Sequence, residues 1–267
     1  GCLDIESGNF ALDADEACLD CCTYPRLKIN VLHQYSDTDT TFATLALNRP
    51  TEVLKDIDIT VSNLKFYLQD FKLIRTNRDK VGVRDSVRVF LPNDTMTVED
   101  NFLLVDRQFP RTYDVGDIRA EGSYDSLEFT FGLNTLIQNA IPSTFPSMHP
   151  LFLEAGSDMY RFTSPSDSTY LAALLEMNVQ QSPSGFIPTT RRIDKNVAIE
   201  LENGQHTATI SVPFKVDLPR GFDIVIVLRI DYRKWLEQAD LLQQPINVSA
   251  LFEGIKTSFS VEEVRLD

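Results

Sequence analysis

The stretch Phe222-Asp223-Ile224-Val225-Ile226-Val227-Leu228-Arg229-Ile230 decides the fold, because it is apolar on both faces of an extended chain. One parity carries Phe222, Ile224, Ile226, Leu228 and Ile230, and the other carries Val225 and Val227. A strand that is buried on both faces belongs at the centre of a sheet. The sequence contains no run of the roughly 18 apolar residues that a membrane helix needs, so we predict no transmembrane span.

Alternating strands surround this segment on both sides. Leu27, Ile29, Val31 and His33 share one face of a first strand. Further strands are predicted at 41–47, twice within 57–75, and at 86–91, 127–133, 169–179 and 208–214. The apolar parity switches within 57–75, which predicts a bulge or bend near Gln69–Asp70. After the central strand, Tyr232, Trp235, Leu236 and Ala239 are spaced for a helix that Asp231 can cap.

These patterns predict an all-β fold, a β-sandwich of antiparallel strands with one or two short helices. A long loop at about 134–167 interrupts it, with Pro142, Pro146, Pro150 and Pro165. We divide the 267 residues into a Cys-rich N-terminal segment, 1–25, and a β-sandwich domain, 26–267. The formal charge of -14 would repel phosphate backbones, so nucleic-acid binding is not expected.

All four cysteines, Cys2, Cys18, Cys21 and Cys22, lie in the first 22 residues. This clustering favours structural disulfides made in an oxidising compartment. A zinc or iron–sulfur site is the second interpretation, although the cluster has no second knuckle or nearby histidine. A lipid anchor at Cys2 is the third. Cys21 and Cys22 are adjacent and pair poorly with each other, so each is expected to reach Cys2 or Cys18.

Catalysis has little support in the sequence. We find no nucleophile elbow, Walker loop, HExxH or Gly-rich dinucleotide motif. The N-terminal cysteines have no neighbouring histidine that could activate them. We therefore expect a protein that is not an enzyme, and a hydrolase is the least supported hypothesis.

Histidine and methionine provide the candidate metal ligands. His33 ends the first strand on its apolar face, where a hydrogen-bonded core residue is the ordinary role and a neutral imidazole ligand is the functional one. His149 lies in the long loop beside Met148, and this pair suits a soft metal such as Cu(I), or else a simple turn. His206, at the entrance to a strand, is expected to be exposed.

The N-terminal segment resembles a short motif of exported bacterial proteins, which begins Gly-Cys and ends at a later cysteine. The matching residues are Gly1-Cys2, Asp4, Asn9-Phe10, Ala14 and Cys18. The resemblance implies a Cys2–Cys18 disulfide and location in the periplasm or at the cell surface of a Gram-negative bacterium. Calcium could be held by the oxygen ligands Asp4, Asn9, Asp13 and Asp15, although a solvated acidic loop explains them as well.

The body of the chain, about 27–240, resembles the MbnP-like family of periplasmic copper-binding proteins. The matching blocks, in order, are 27–33 ending in histidine, 59–68 (ITVSNLKFYL), 122–133 (GSYDSLEFTFGL), His149-Pro150-Leu151, Met159-Tyr160 and 228–236 (LRIDYRKWL). The resemblance implies a β-rich fold, export, and copper held by imidazole, in some members together with a tryptophan-derived group. Carried over by position, the ligands would be His33 and His149.

One departure weakens the copper hypothesis. The family loop continues Met-Tyr-Trp, and here Arg161 replaces that tryptophan, while Trp235 is the only tryptophan of the chain. We therefore keep two hypotheses: an exported copper-binding protein that uses His33, Met148 and His149, or an interaction module of the same fold that has lost the metal and binds a protein or carbohydrate. A separation of the two histidines above about 8 Å would favour the second, because direct metal–imidazole bonds are near 2 Å.

Overall fold

The computed structural model describes residues 1–18, 20–37, 41–54, 56–162, 168–181, 193–242 and 245–267. In these ranges the strands are β1 (Arg26–Ser36), β2 (Phe42–Thr44), β3 (Thr51–Leu54), β4 (Ile57–Arg75), β5 (Lys80–Gly82), β6 (Ser86–Phe90), β7 (Thr95–Glu99), β8 (Leu103–Asp106), β9 (Thr112–Asp117), β10 (Gly122–Phe131), β11 (Tyr160–Phe162), β12 (Ser168–Gln181), β13 (Ile193–Glu202), β14 (Ala208–Leu218), β15 (Ile224–Asp231) and β16 (Phe259–Leu266). The helices are α1 (Tyr232–Glu237), α2 (Val248–Lys256) and a 3-10 turn at Pro142–Thr144. The predicted all-β class is confirmed.

The doubly apolar strand β15 lies inside the smaller sheet, as its pattern predicts. It is flanked by β1 and β16, and β2 and β9 pair with β1. The β1–β15 pair is parallel, with Leu27 opposite Ile224, whereas we expected antiparallel strands only. Two parallel strands need a long connection between them. Here the chain forms the whole larger sheet between β1 and β15, so it can return to run in the same direction as β1.

The larger sheet has nine described strands arranged around β4, which pairs with β10 and β12. β4 is a single strand of 19 residues where the sequence indicated two. It stays continuous through the predicted irregularity, because Asp70 takes a φ of 59° and the register with β10 shifts there. The bulge near Gln69–Asp70 is thus confirmed, and it absorbs the change of parity that suggested a break.

Both faces of the larger sheet are covered by buried side chains. Phe66 and Leu68 of β4 face the first core, which also contains Ile29, Ile226 and Trp235 and lies between the two sheets. Alternate residues of a strand point to opposite faces, and Tyr67 enters a second core together with side chains of the long loop: Leu133, Ile137, Phe145, Leu151 and Met159. The predicted long loop is therefore packed on the outer face of the larger sheet; the part at 163–167 lies outside the described residues.

The predicted helix α1 begins where its cap was expected. The side chain of Asp231 accepts a hydrogen bond from the backbone N–H of Arg233 at 3.2 Å, and another from Ser36 at 2.9 Å. The helix α2, which had no individual prediction, is capped by Asn247 through the N–H of Ala250. A Cβ added at Gly254 would overlap the backbone oxygen of Lys234, so this glycine allows the two helices to meet closely.

Candidate functional site

His33 ends the buried face of β1 and is held in the first core. Its side chain is 5% exposed, and Nδ1 lies 2.7 Å from the hydroxyl of Tyr232. Nε2 has no hydrogen-bond partner among the described residues. Burial lowers the pKa of His33 to about 3, and the nearby Arg107 guanidinium acts in the same direction. His33 is therefore a neutral imidazole near pH 7, with one nitrogen unengaged.

The surroundings of His33 keep its ring in a fixed position. Arg107 donates to the backbone oxygen of Leu45 at 2.7 and 3.0 Å, and the N–H of Leu45 donates to the oxygen of His33. Burial raises the pKa of Tyr232, so its hydroxyl stays protonated. The ring of Tyr232 packs edge-on against Trp235 at 4.8 Å. This is the arrangement of a buried, ordered histidine, whether or not it binds a ligand.

His149 uses both ring nitrogens to fix the long loop. Nδ1 accepts the backbone N–H of Leu151 at 3.1 Å, and Nε2 lies 2.9 Å from an Asp100 carboxylate oxygen. Because Nδ1 accepts, Nε2 carries the proton and donates to Asp100. The ring is stacked on Phe145 at 4.8 Å. No nitrogen lone pair of His149 is left for a metal in this arrangement.

Met148 and His149 are neighbours in sequence with opposite environments. Met148 is 84% exposed, whereas the side chain of His149 is only 7% exposed. The Met148 thioether stands in open solvent, while the adjacent imidazole stacks on Phe145 of the second core. The structure thus does not present the two side chains as a prepared pair.

The larger sheet separates His33 from His149. His33 shares a face of β1 with Ile29 and Val31, which belong to the first core, whereas His149 stacks on Phe145 in the second core. Layers packed on a sheet are about 10 Å apart, and metal–imidazole bonds are near 2 Å. Among the described residues, no three His, Cys, Asp or Glu side chains lie close enough to hold a metal. His33, Met148 and His149 are therefore not assembled into one site, and copper binding stays a prediction.

Neither Arg161, at the loop position of the family's tryptophan, nor Trp235, the only tryptophan of the chain, adds a metal ligand. Arg161, on β11, forms ion pairs with Glu200 and Glu202 of β13. Trp235 is buried in the first core, where its Nε1–H donates to the hydroxyl of Ser258 at 2.7 Å. Arg161 thus forms ion pairs on the surface of the sheet, and Trp235 packs in the first core.

The N-terminal segment contains a disulfide, but its pairing differs from the expected one. Cys2 is joined to Cys22, and Cys18 and Cys21 are free. The Cys2–Cys18 pairing was therefore wrong: Cys18 is held by its N–H to the oxygen of Gly1, while Cys22 reaches the buried sulfur of Cys2. A lipid thioether needs the same sulfur, so the disulfide is incompatible with a lipid anchor at Cys2.

The oxygen atoms considered for calcium have other partners. Asp4 accepts from the N–H of Glu6 at 3.0 Å and the hydroxyl of Tyr24 at 2.7 Å. Asn9 donates to the oxygen of Cys21 and accepts from the N–H of Thr23. These contacts close the segment on itself and do not gather the four residues around an ion. Calcium binding remains a prediction without a prepared site in the described part of the segment.

A cleft of about 640 Å³ opens beside the long loop, and the sequence analysis did not single it out. Its walls come from the β6–β7 turn, from the loop at 135–141, and from β11 and β12. Leu91, Leu136 and Ile141 supply apolar surface, and Asn93 and Asn139 supply amides. The N–H of Ile141 donates to the oxygen of Phe90 at 2.9 Å and so fixes the loop to the hairpin. The only sequence signal was the length of the loop, because residues far apart in the chain form the cleft.

A comparison with family models identifies one family. The sequence profile of the family MbnP matches residues 24–250. A solved structure, MbnP from Methylosinus trichosporium, is similar with a TM-score of 0.41 and 10% identity, over 81% of this chain and 78% of that chain. A search of curated proteins returns no match. In the described residues, no helix is long and apolar enough to cross a membrane.

Proposed function

The chain belongs to the MbnP family, and we propose that it is an exported, non-catalytic protein that binds a small ligand in the cleft beside its long loop. Export is supported by the Cys2–Cys22 disulfide, since disulfides persist mainly outside reducing compartments. The N-terminal motif favours the periplasm or the cell surface of a Gram-negative bacterium. The observation that carries the proposal is the cleft, whose volume lies in the usual range for small-molecule sites.

The composition of the cleft indicates the kind of ligand. Leu136 is 56% exposed at its mouth, and the ring of Tyr160 stands in the wall, packed edge-on against Tyr170 at 5.2 Å. Next to these apolar surfaces lie the amides of Asn93 and Asn139. A sugar combines hydroxyl groups with an apolar ring face and so fits both features. We therefore propose a neutral oligosaccharide as the ligand, because a concave site suits it better than a flat protein surface does.

The lining of the cleft supports binding without chemistry. Among the described residues that form it, Asp94 is the only carboxylate, and no imidazole or thiol is present. One oxygen of Asp94 accepts from the N–H of Thr95 at 2.7 Å. Hydrolysis of a glycosidic bond ordinarily uses two carboxyl groups that flank the bond. A single carboxylate engaged in its own turn does not provide that pair.

Two-dimensional NMR of the full chain tests this proposal directly. We would titrate the labelled protein with maltotriose, cellotriose and chitotriose. The expected result is saturable shifts of the amide signals of Leu91, Asn93, Asp94 and residues 135–141 with at least one sugar, and loss of these shifts in Leu136→Asp. The matched control is Leu12→Asp, which changes an exposed leucine of the N-terminal segment. Shifts in neither region, or equal loss in both variants, would refute a site in the cleft.

Copper binding is the second candidate function, and one observation favours it. The Nε2 atom of His33 is buried and has no partner in the described residues, and the low pKa keeps the imidazole neutral. In the tautomer whose Nδ1–H donates to the Tyr232 hydroxyl, Nε2 offers a lone pair. This fits one copper ligand, while His149 does not fit as the second. We would titrate the protein anaerobically with Cu(I) against a chromophoric chelator. Binding that is lost in His33→Ala would support this candidate, and absence of binding would leave only the cleft.

A further inference from the structure

Two of the four cysteines are left without a partner by the Cys2–Cys22 disulfide. Cys18 and Cys21 are both partly exposed and are the only free thiols of the chain. They lie three positions apart in the sequence, and positions 20–21 form a turn. Both thiols are therefore reachable by an oxidant, and they are near each other without any rearrangement of the fold.

Direct contacts bring these two side chains together. The thiol of Cys21 lies 3.0 Å from the backbone oxygen of Cys18. The pKa of Cys21 is raised chiefly by a side-chain hydrogen bond with the Cys18 thiol. The Cys21 thiol therefore lies against the backbone of Cys18, close to the residue with which it would pair.

The backbone that carries the thiols is held in place. The N–H of Cys18 donates to the oxygen of Gly1 at 2.9 Å, and the side chain of Asn9 donates to the oxygen of Cys21 at 2.6 Å. The N–H of Thr23 in turn donates to Asn9 at 2.9 Å. Asn9 therefore connects the turn to the opposite side of the segment, and it keeps Cys21 facing Cys18.

We infer that Cys18 and Cys21 form a second disulfide. It forms by exchange with a small oxidised disulfide and is reduced again by a thiol in solution. One thiolate attacks the disulfide of the oxidant, such as glutathione disulfide, and expels one glutathione thiol. The second thiolate then displaces the remaining glutathione from the mixed disulfide, so one S–S bond forms and one breaks. The two cysteine protons and electrons end on the two glutathione molecules. The alternative pair Cys21–Cys22 is disfavoured, because adjacent cysteines bridge only with strain.

The two disulfides differ in their access to reductant. Cys2 is 1% exposed and its partner Cys22 is partly exposed, whereas Cys18 and Cys21 are both partly exposed. Exposed disulfides are the labile ones, and buried disulfides resist attack. Because the Cys2–Cys22 bond has one buried sulfur and a Cys18–Cys21 bond has none, the Cys18–Cys21 bond is the one that a reductant should open first.

Alkylation followed by mass spectrometry of the full chain tests the pairing. After exposure to glutathione disulfide, the denatured, unreduced protein should take up no iodoacetamide. The variant C2S/C22S retains only Cys18 and Cys21 and should likewise show no alkylation and remain monomeric. The matched control C18S/C21S should lose one disulfide and keep the other. Alkylation of Cys18 and Cys21 in the oxidised wild type would overturn the inference.

Peptide mapping of the wild type keeps the test valid if C2S/C22S fails to fold. Cleavage before aspartates separates Cys2, Cys18 and the Cys21–Cys22 pair into the peptides 1–3, 15–19 and 20–36. All three should be linked after oxidation. With increasing reductant on the folded protein, peptide 15–19 should be released before peptide 1–3. A free peptide 15–19 from the oxidised protein, or simultaneous release of both, would contradict the assignment.

Discussion

Replacing His33 with asparagine should remove much of the acid sensitivity of the fold. The histidine is buried and neutral in the folded protein, with a pKa of about 3, against a model-peptide value of 6.5. Between these two values the unfolded chain binds a proton that the folded chain excludes. The free energy of unfolding therefore rises with pH across this window and is lost as the pH falls from 6.5 towards 3. The side-chain amide of asparagine reaches the position of Nδ1 and does not titrate.

The size of the effect follows from the two pKa values. Each pH unit inside the window is worth about 1.4 kcal/mol. Lowering the pH from 7 to 4.5 should cost the wild type about 2.5 kcal/mol through His33 alone. The smaller asparagine also leaves a space and so lowers stability at every pH, by about 1–3 kcal/mol. Because that loss is the same at every pH, only the pH dependence of the free energy of unfolding reports the proton taken up by His33.

Urea unfolding followed by circular dichroism, at pH 7 and pH 4.5, measures this slope. His33→Asn should lose about 2.5 kcal/mol less than the wild type between the two pH values. The matched control is His206→Asn, which changes a partly exposed histidine in the turn before β14 and should keep the wild-type slope. Equal pH dependence in wild type and His33→Asn would refute the buried, neutral state of His33.

Three substitutions test the packing around His33 and α1 by urea unfolding at pH 7, and a fourth serves as a control. Tyr232→Phe leaves Nδ1 of His33 without its partner and should cost about 1–3 kcal/mol, whereas an unchanged stability would show that water replaces the hydroxyl. Asp231→Ala removes the cap of α1 and the bond to Ser36 and should cost about 1–2 kcal/mol. Gly254→Ala forces a methyl group onto the backbone of Lys234 and should cost about 1–3 kcal/mol. Gly82→Ala, whose added Cβ would make ordinary contacts, is its control and should change stability by less than about 0.5 kcal/mol.

Strand patterns predicted the scaffold well, because burial on a sheet leaves a period of two in the sequence. The central position of β15 and the bulge near Asp70 were both readable in this way. The parallel pairing of β1 with β15 was not, since it depends on where the chain returns after the whole second sheet is built. The helix α2 has no strong individual signal, and it is stabilised by packing on α1 through Gly254.

The candidate site was less predictable than the scaffold. His33 and His149 were each suitable ligands by residue type, but no local pattern states which face of a distant sheet a loop will cover. The long loop crosses to the outer face and carries His149 into the second core. The pairing of Cys2 with Cys22 also depends on how the segment closes, through Asn9 and Thr23, and not on the spacing of the cysteines.

The central claim is that His33 and His149, on opposite faces of the larger sheet, do not share one ligand. Anaerobic Cu(I) titration of the wild type, His33→Ala and His149→Ala against a chromophoric chelator tests it most directly, with circular dichroism to confirm that each variant is folded. We predict that His149→Ala leaves any Cu(I) affinity within about two-fold of the wild type, whatever His33→Ala does. Equal, large losses in both variants, with no further loss in the double variant, would place the two histidines on one ion and contradict this account.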